Sequence, residues 1–238
     1  MTRWHINETQ DLVLTKFGRD QLELVRPCLQ SVCDRQWYAG YHFHEVHRLL
    51  DSFVSARLSN ACLLEVVFGQ DAEATDDFNR FLLEAGAHAL ACVQSMHATA
   101  DILAHVVYFS LGLNLSAQPI AERFVSLKKV IARLQQEATA IAIYDLLHKM
   151  SSDGNFEHLS ALSNHSKHRS IIRPSLNEDW TGAAPERHTL KIPSFWYEKK
   201  RYPEVAVKDF LEPEYSRCSK LVVDTGNALN ALLRTQAP

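Results

Sequence analysis

Glycine and proline are scarce, with 8 of each in 238 residues, and much of this punctuation falls after residue 170. Long uninterrupted tracts earlier in the chain therefore favour helices. No window approaches about eighteen apolar residues without a polar break, which excludes a spanning helix by pattern. The opening Met1-Thr2-Arg3-Trp4-His5 lacks the apolar core of a secretion signal. The five cysteines, Cys28, Cys33, Cys62, Cys92 and Cys218, form no CxxC pair and no regular framework, and four sit in apolar helical contexts. They read as buried thiols of a reducing compartment, so the cytoplasm is the expected address, with neither a disulfide scaffold nor a zinc knuckle. There is no phosphate-binding glycine loop, no nucleophile-elbow serine, no HExxH and no cysteine with a base partner close in sequence. These absences remove the motif-defined enzyme classes, and no cofactor is expected.

Charge is present but unevenly spread under the formal net value of -3. Residues 1–162 hold 13 Lys/Arg against 19 Asp/Glu, a balance of -6; residues 163–202 hold 8 against 4, a balance of +4; residues 203–238 hold 4 against 5. A basic segment in a mildly acidic chain suits a phosphate or another acidic surface.

Apolar spacing of three and four predicts helices over about 18–36, interrupted at Pro27, and over 41–68, 72–111, 119–149, 156–168 and 212–233. Between the last two, Pro174, Gly182, Pro185, Pro193 and Pro203 break any helix. There Thr189-Leu190-Lys191-Ile192, Phe195-Trp196-Tyr197 and Val205-Ala206-Val207 read as short strands. The expected fold is mainly α: a bundle of five to six helices over 1–169, a small antiparallel β insertion over 170–211, and a C-terminal helix, 212–238, returning to the bundle.

Three groups of residues carry possible chemistry. In Asn164-His165-Ser166-Lys167-His168-Arg169, Asn164 and His168 are one turn apart on a helix face, while His165 and Arg169 point elsewhere. A histidine beside an amide and cations can act as general acid/base on a phosphodiester, with Lys167 or Arg169 on the phosphate. The plain alternative is that the cations offset the helix C-terminus and cap its carbonyls.

Asn164-x-x-x-His168 at a helix end resembles the Asn-x-x-x-His half of the Arg-Asn-x-x-x-His motif of HEPN-domain proteins. That superfamily of helical-bundle, often dimeric proteins includes toxin and antiviral ribonucleases, whose Arg and His lie at a dimer interface and act on RNA without a metal. The resemblance implies that His168 is the catalytic histidine and Asn164 its polar companion, with Ser163 at the place of the family's arginine. It implies a homodimer directed at RNA, in a defence or toxin role.

A second group is His42-Phe43-His44-Glu45-Val46-His47, where His44 and His47 are three apart, together with His97, Asp101 and His105 at successive steps of four. Facing helices that share such side chains can hold zinc, iron, manganese or nickel, although the polar seam of an apolar helix has the same pattern. A third group, Phe195 to Tyr202, interleaves Trp196 with Lys199, Lys200 and Arg201, and Trp180 lies upstream. Aromatics that stack on bases beside cations that meet phosphates suit single-stranded nucleic acid. The sequence thus supports three readings: a HEPN-like RNA-directed protein that is a metal-independent ribonuclease; a non-catalytic homodimeric interaction protein in which residues 164–169 are structural; and a helical metalloenzyme.

Overall fold

The computed structural model describes residues 3–235. It is 73% helical, with a small antiparallel β part in the C-terminal third, so the fold is mainly α. The helices are α1 (Ile6–Phe17), α2 (Arg19–Phe53), α3 (Leu63–Phe68), α4 (Ala72–Ser110), α5 (Leu127–Leu134), α6 (Ile141–Ser151), α7 (Gly154–His168) and α8 (Val207–Thr235). The strands are β1 (Ser175–Glu178), β2 (His188–Ile192), β3 (Phe195–Tyr197), β4 (Lys200–Tyr202) and β5 (Val205–Ala206). No helix is long and apolar enough, among the described residues, to cross a membrane. Two compact units form: one takes residues up to Trp37, Ser95–Glu157 and those from Tyr215 on, and the other takes Tyr38–Gln94 and His158–Glu214.

In the first unit the predicted stripe Leu22, Val25, Leu29 and Val32 is buried, as are Leu103, Val107, Leu147, Leu229 and Leu233. Its two chain ends are tied by polar groups. Trp4 Nε1 donates to Thr9 Oγ1 at 2.9 Å, which donates to Asn230 Oδ1 at 2.6 Å. The Trp4 ring also covers Gly226, leaving no room for a side chain there.

Helix α2 runs through Pro27 instead of stopping, because Pro27 lies on the exposed side, where water can serve the carbonyl its ring leaves unbonded. The expected helix over 119–149 is broken, and the reason is tertiary. Tyr108 OH both accepts from Ile120 N at 2.8 Å and donates to Ile120 O at 3.1 Å, fixing an irregular segment. Asp101 Oδ1 then accepts from Leu127 N at 2.9 Å and caps α5. Helix α8 starts at Val207, five residues before the predicted start, with exposed Pro213 inside it.

The second unit carries both sheets. Strands β1, β2 and β5 pair antiparallel in that order, with Leu176 opposite Leu190 and Glu178 opposite His188. In β2 the buried residues alternate as His188, Leu190 and Ile192, the period-two pattern that the sequence carries. Strand β1 escapes prediction because Leu176 is its only buried apolar residue. Strands β3 and β4 form a separate hairpin, with Phe195 opposite Tyr202, Trp196 opposite Arg201 and Tyr197 opposite Lys200. Its turn, Glu198-Lys199, has φ of +47° and +66°, the two-residue geometry whose twist matches a hairpin even without glycine.

Candidate nucleic-acid interface

One face of α7 is covered by the hairpin. His158 is buried, its ring centroid 5.5 Å from Phe195, 5.1 Å from Tyr202 and 4.7 Å from Phe210. Two turns on, His165 meets Phe195 and Tyr197 edge-on at 5.6 and 6.3 Å. Its Nδ1 lies 2.8 Å from Ser170 O, and since a carbonyl only accepts, Nδ1 carries the proton. Another turn on, Arg169 sits 5.7 Å over the Tyr197 ring, within cation–π range. His165 is therefore a structural residue that closes the helix end, and the hairpin rests on the His158/His165/Arg169 stripe.

The remaining residues of the cluster lie off that stripe. Lys167 and His168 are exposed, Asn164 is half-buried, and His168 has no hydrogen-bond partner among the described residues. Ser163, at the place of the motif's arginine, is fully buried with Oγ unpartnered, so the cations that this helix end offers are Lys167 and Arg169.

On the hairpin the alternation is clean. Phe195 and Tyr202 stack inward with centroids 5.1 Å apart, and their neighbours Trp196 and Arg201 face outward as a cross-strand pair. Trp196 is 61% exposed, as is Trp180 in the β1–β2 connection. Arg201 donates to Ser194 Oγ at 3.3 Å, while nearby Glu204 is engaged by Lys191 at 2.8 Å. Lys199 is exposed at the turn, and Lys200 lies 5.2 Å over the Tyr202 ring. The second unit thus joins two groups that were separate in sequence, the 164–169 helix end and the 195–202 aromatic-cation segment.

No family model, curated protein or solved structure matches the chain.

The proposed metal ligands serve other ends. His105 donates Nδ1–H to the Asp101 carbonyl of its own helix at 2.8 Å, Asp101 caps α5, and His97 stacks on Phe156 at 6.1 Å. His44 is exposed and His47 lines a cleft of the second unit. Among the described residues no three His, Cys, Asp or Glu side chains converge on a metal position. All five cysteines are free thiols; burial pushes Cys28 and Cys33 up and Cys92 to about 12, which leaves these three poor nucleophiles.

One pair escaped the sequence reading. His42 and His88 bring their Nδ1 atoms to 2.9 Å, with ring centroids 5.1 Å apart. That is nearly the centroid separation of two rings joined by an in-line hydrogen bond, so one ring donates to the other and the bond fails once both are protonated. Periodicity cannot reveal a pair 46 residues apart. Burial, and after it the His88 charge, lowers the His42 pKa from 6.5, with Glu45 opposing. Burial likewise lowers that of His47, as does Lys208, against Asp51, Glu186 and Glu212. The unfolded chain therefore takes protons that the fold resists, and stability should fall as pH drops below about 6.5. Denaturant titrations at pH 7 and pH 5 should show this loss reduced in His42→Asn; an unchanged slope would remove the pair from the account.

Proposed function

We propose that the face built from the end of α7 and the β3–β4 hairpin binds single-stranded RNA, as the HEPN-like half-motif of Asn164 and His168 suggests. The supporting observation is Arg169 over Tyr197, which ties the helix end that carries His168 to the hairpin that carries Trp196 and Arg201. Unpaired bases offer flat faces to Trp196, and phosphates meet Arg201, Lys199, Lys200, Lys167 and Arg169. A duplex hides those base faces inside its stack.

His168 is the acid/base of this reading. Its imidazole, without a partner among the described residues, takes a proton from an attacking 2′-hydroxyl and returns one to the leaving oxygen. Asn164, one turn earlier on the same face, orients the RNA, and Lys167 and Arg169 stabilise charge on the phosphate.

Anisotropy titrations of labelled single-stranded RNA test the binding. Trp196→Ala should weaken it about tenfold, within the roughly 1–3 kcal/mol per stacked base. Arg201→Ala should lower the magnitude of the salt slope by about 0.7, the value of one single-strand phosphate contact. His168→Ala should retain binding and abolish strand cleavage. Binding indifferent to Trp196 and Arg201, or cleavage surviving in His168→Ala, would refute the corresponding part. RNA bound but left intact by the wild type would refute the acid/base role while keeping the interface.

A further inference from the structure

A cleft in the second unit, with a volume of about 440 Å³, lies between the later turns of α2 and strand β2. The size falls in the range of roughly 300–1,000 Å³ typical of small-molecule sites. Its apolar wall comes from Leu50 of α2, Val54 in the π-helical turn that follows it, Leu190 of β2 and Val207 at the start of α8. The His47 ring adds a flat surface, packed on Phe43 at 4.4 Å, with both nitrogens buried and without hydrogen-bond partners. Burial favours its neutral form.

The charged groups at the rim are not equivalent. Lys208 is held by Glu186 at 2.7 Å, and Arg187 donates to Glu178 Oε1 through Nε at 2.9 Å and Nη2 at 2.7 Å. Asp51, one turn after His47 and exposed, is in no ion pair among the described residues. An anion entering the cleft must break an existing pair; a cation finds Asp51 available. Glu212, which acts on His47 through its charge, adds to the negative side.

We infer that this cleft binds a small amphipathic amine, with its ammonium on Asp51 and its apolar body along Leu50, Val54 and Leu190. The site is separate from the α7–hairpin face, and the inference does not depend on the RNA reading. Flat bodies are favoured, because the His47 ring offers them a face to stack on.

Amide chemical-shift titrations of the full chain with phenethylamine, phenylacetate and 2-phenylethanol test it, since the three share a body and differ in charge. Saturable shifts centred on residues 46–54 and 187–190 are expected for the amine, about fivefold stronger than for either analogue. The preference should narrow as salt is raised, because the Asp51 carboxylate is open to solvent. Asp51→Asn should erase it. Lys208→Ala, which releases Glu186, should tighten amine binding, an effect that a purely structural Lys208 would not give. Equal binding of the alcohol, preference for phenylacetate, no saturable shift, or indifference to both substitutions would overturn the inference.

Discussion

Gly226→Ala is expected to destabilise the first unit by roughly 3 kcal/mol, the upper end for overpacking in a filled site. A β-carbon at Gly226 would lie 2.0 Å from Trp4 Cδ2 and 2.3 Å from Cε2, and the Trp4 ring is pinned through Nε1 to Thr9. The ring is 7% exposed and has little space into which to retreat. Trp4→Ala should cost about 3–5 kcal/mol through lost burial and the cavity left behind. The diagnostic result is the double variant. Once Trp4 is gone, alanine at 226 has room, and glycine inside a helix is worse than alanine by roughly 0.5–1 kcal/mol, so the sign of Gly226→Ala should reverse. Equilibrium denaturation of the four proteins measures this. A Gly226→Ala penalty that persists without Trp4 would show that the close approach is not what requires glycine.

Glu178→Gln should cost about 3 kcal/mol in the second unit. The Glu178 side chain is 1% exposed and accepts from Leu63 N at 2.8 Å through Oε2 and from Arg187 through Oε1, with His188 Nε2 3.4 Å away. It caps α3, fastens β1 and is the charge partner of Arg187. Glutamine turns an NH₂ toward one of these donors and leaves that donor unsatisfied, a loss at the upper end of the roughly 1–3 kcal/mol for an unpaired donor. Burial raises the Glu178 pKa, but the Leu63 amide, Arg187 and His188 outweigh it and hold the carboxyl below its ordinary 4.5. A depressed carboxylate contributes stability that is full above the unfolded value and lost as pH falls through the folded one. The gap between wild type and Glu178→Gln should therefore be widest near neutral pH and close in acid; a constant gap would mean that shape alone matters at this position.

The parts of the fold that were readable from sequence were those governed by local pattern. The buried stripes of α2 and α4, the start of α4 at Ala72, the end of α7 at His168 and the strands β2 and β3 all follow from apolar period and turn residues. Elements governed by distant partners were not readable. Helix α5 begins only at Leu127 because Tyr108 and Asp101 bind the backbone before it, and Pro27 is tolerated because its side of α2 faces water. Strand β1 depends on pairing with β2 more than on its own residues, and Glu178 has its meaning only opposite His188 and beneath Leu63.

The candidate site divides in the same way. The spacing of Asn164 and His168 on one face, with His165 and Arg169 on another, was fixed by helix geometry. That the second face would receive Phe195 and Tyr197 required the tertiary fold, as did the pairing of His42 with His88. The stripe of His97, Asp101 and His105 illustrates the opposite lesson. A row of possible ligands on one helix is also a row of hydrogen-bonding groups, and here the fold uses two of them to hold backbone.

Photocrosslinking tests most directly whether the end of α7 and the β3–β4 hairpin form one RNA-binding face. Single-stranded RNA with photoreactive uridines, irradiated with the full chain and followed by peptide mass spectrometry, should place adducts on the peptides that contain His168 and Trp196. They should disappear when excess unlabelled single-stranded RNA is added and persist when duplex is added instead. Adducts confined to other parts of the chain, or competition by duplex as strong as by single strands, would contradict the account.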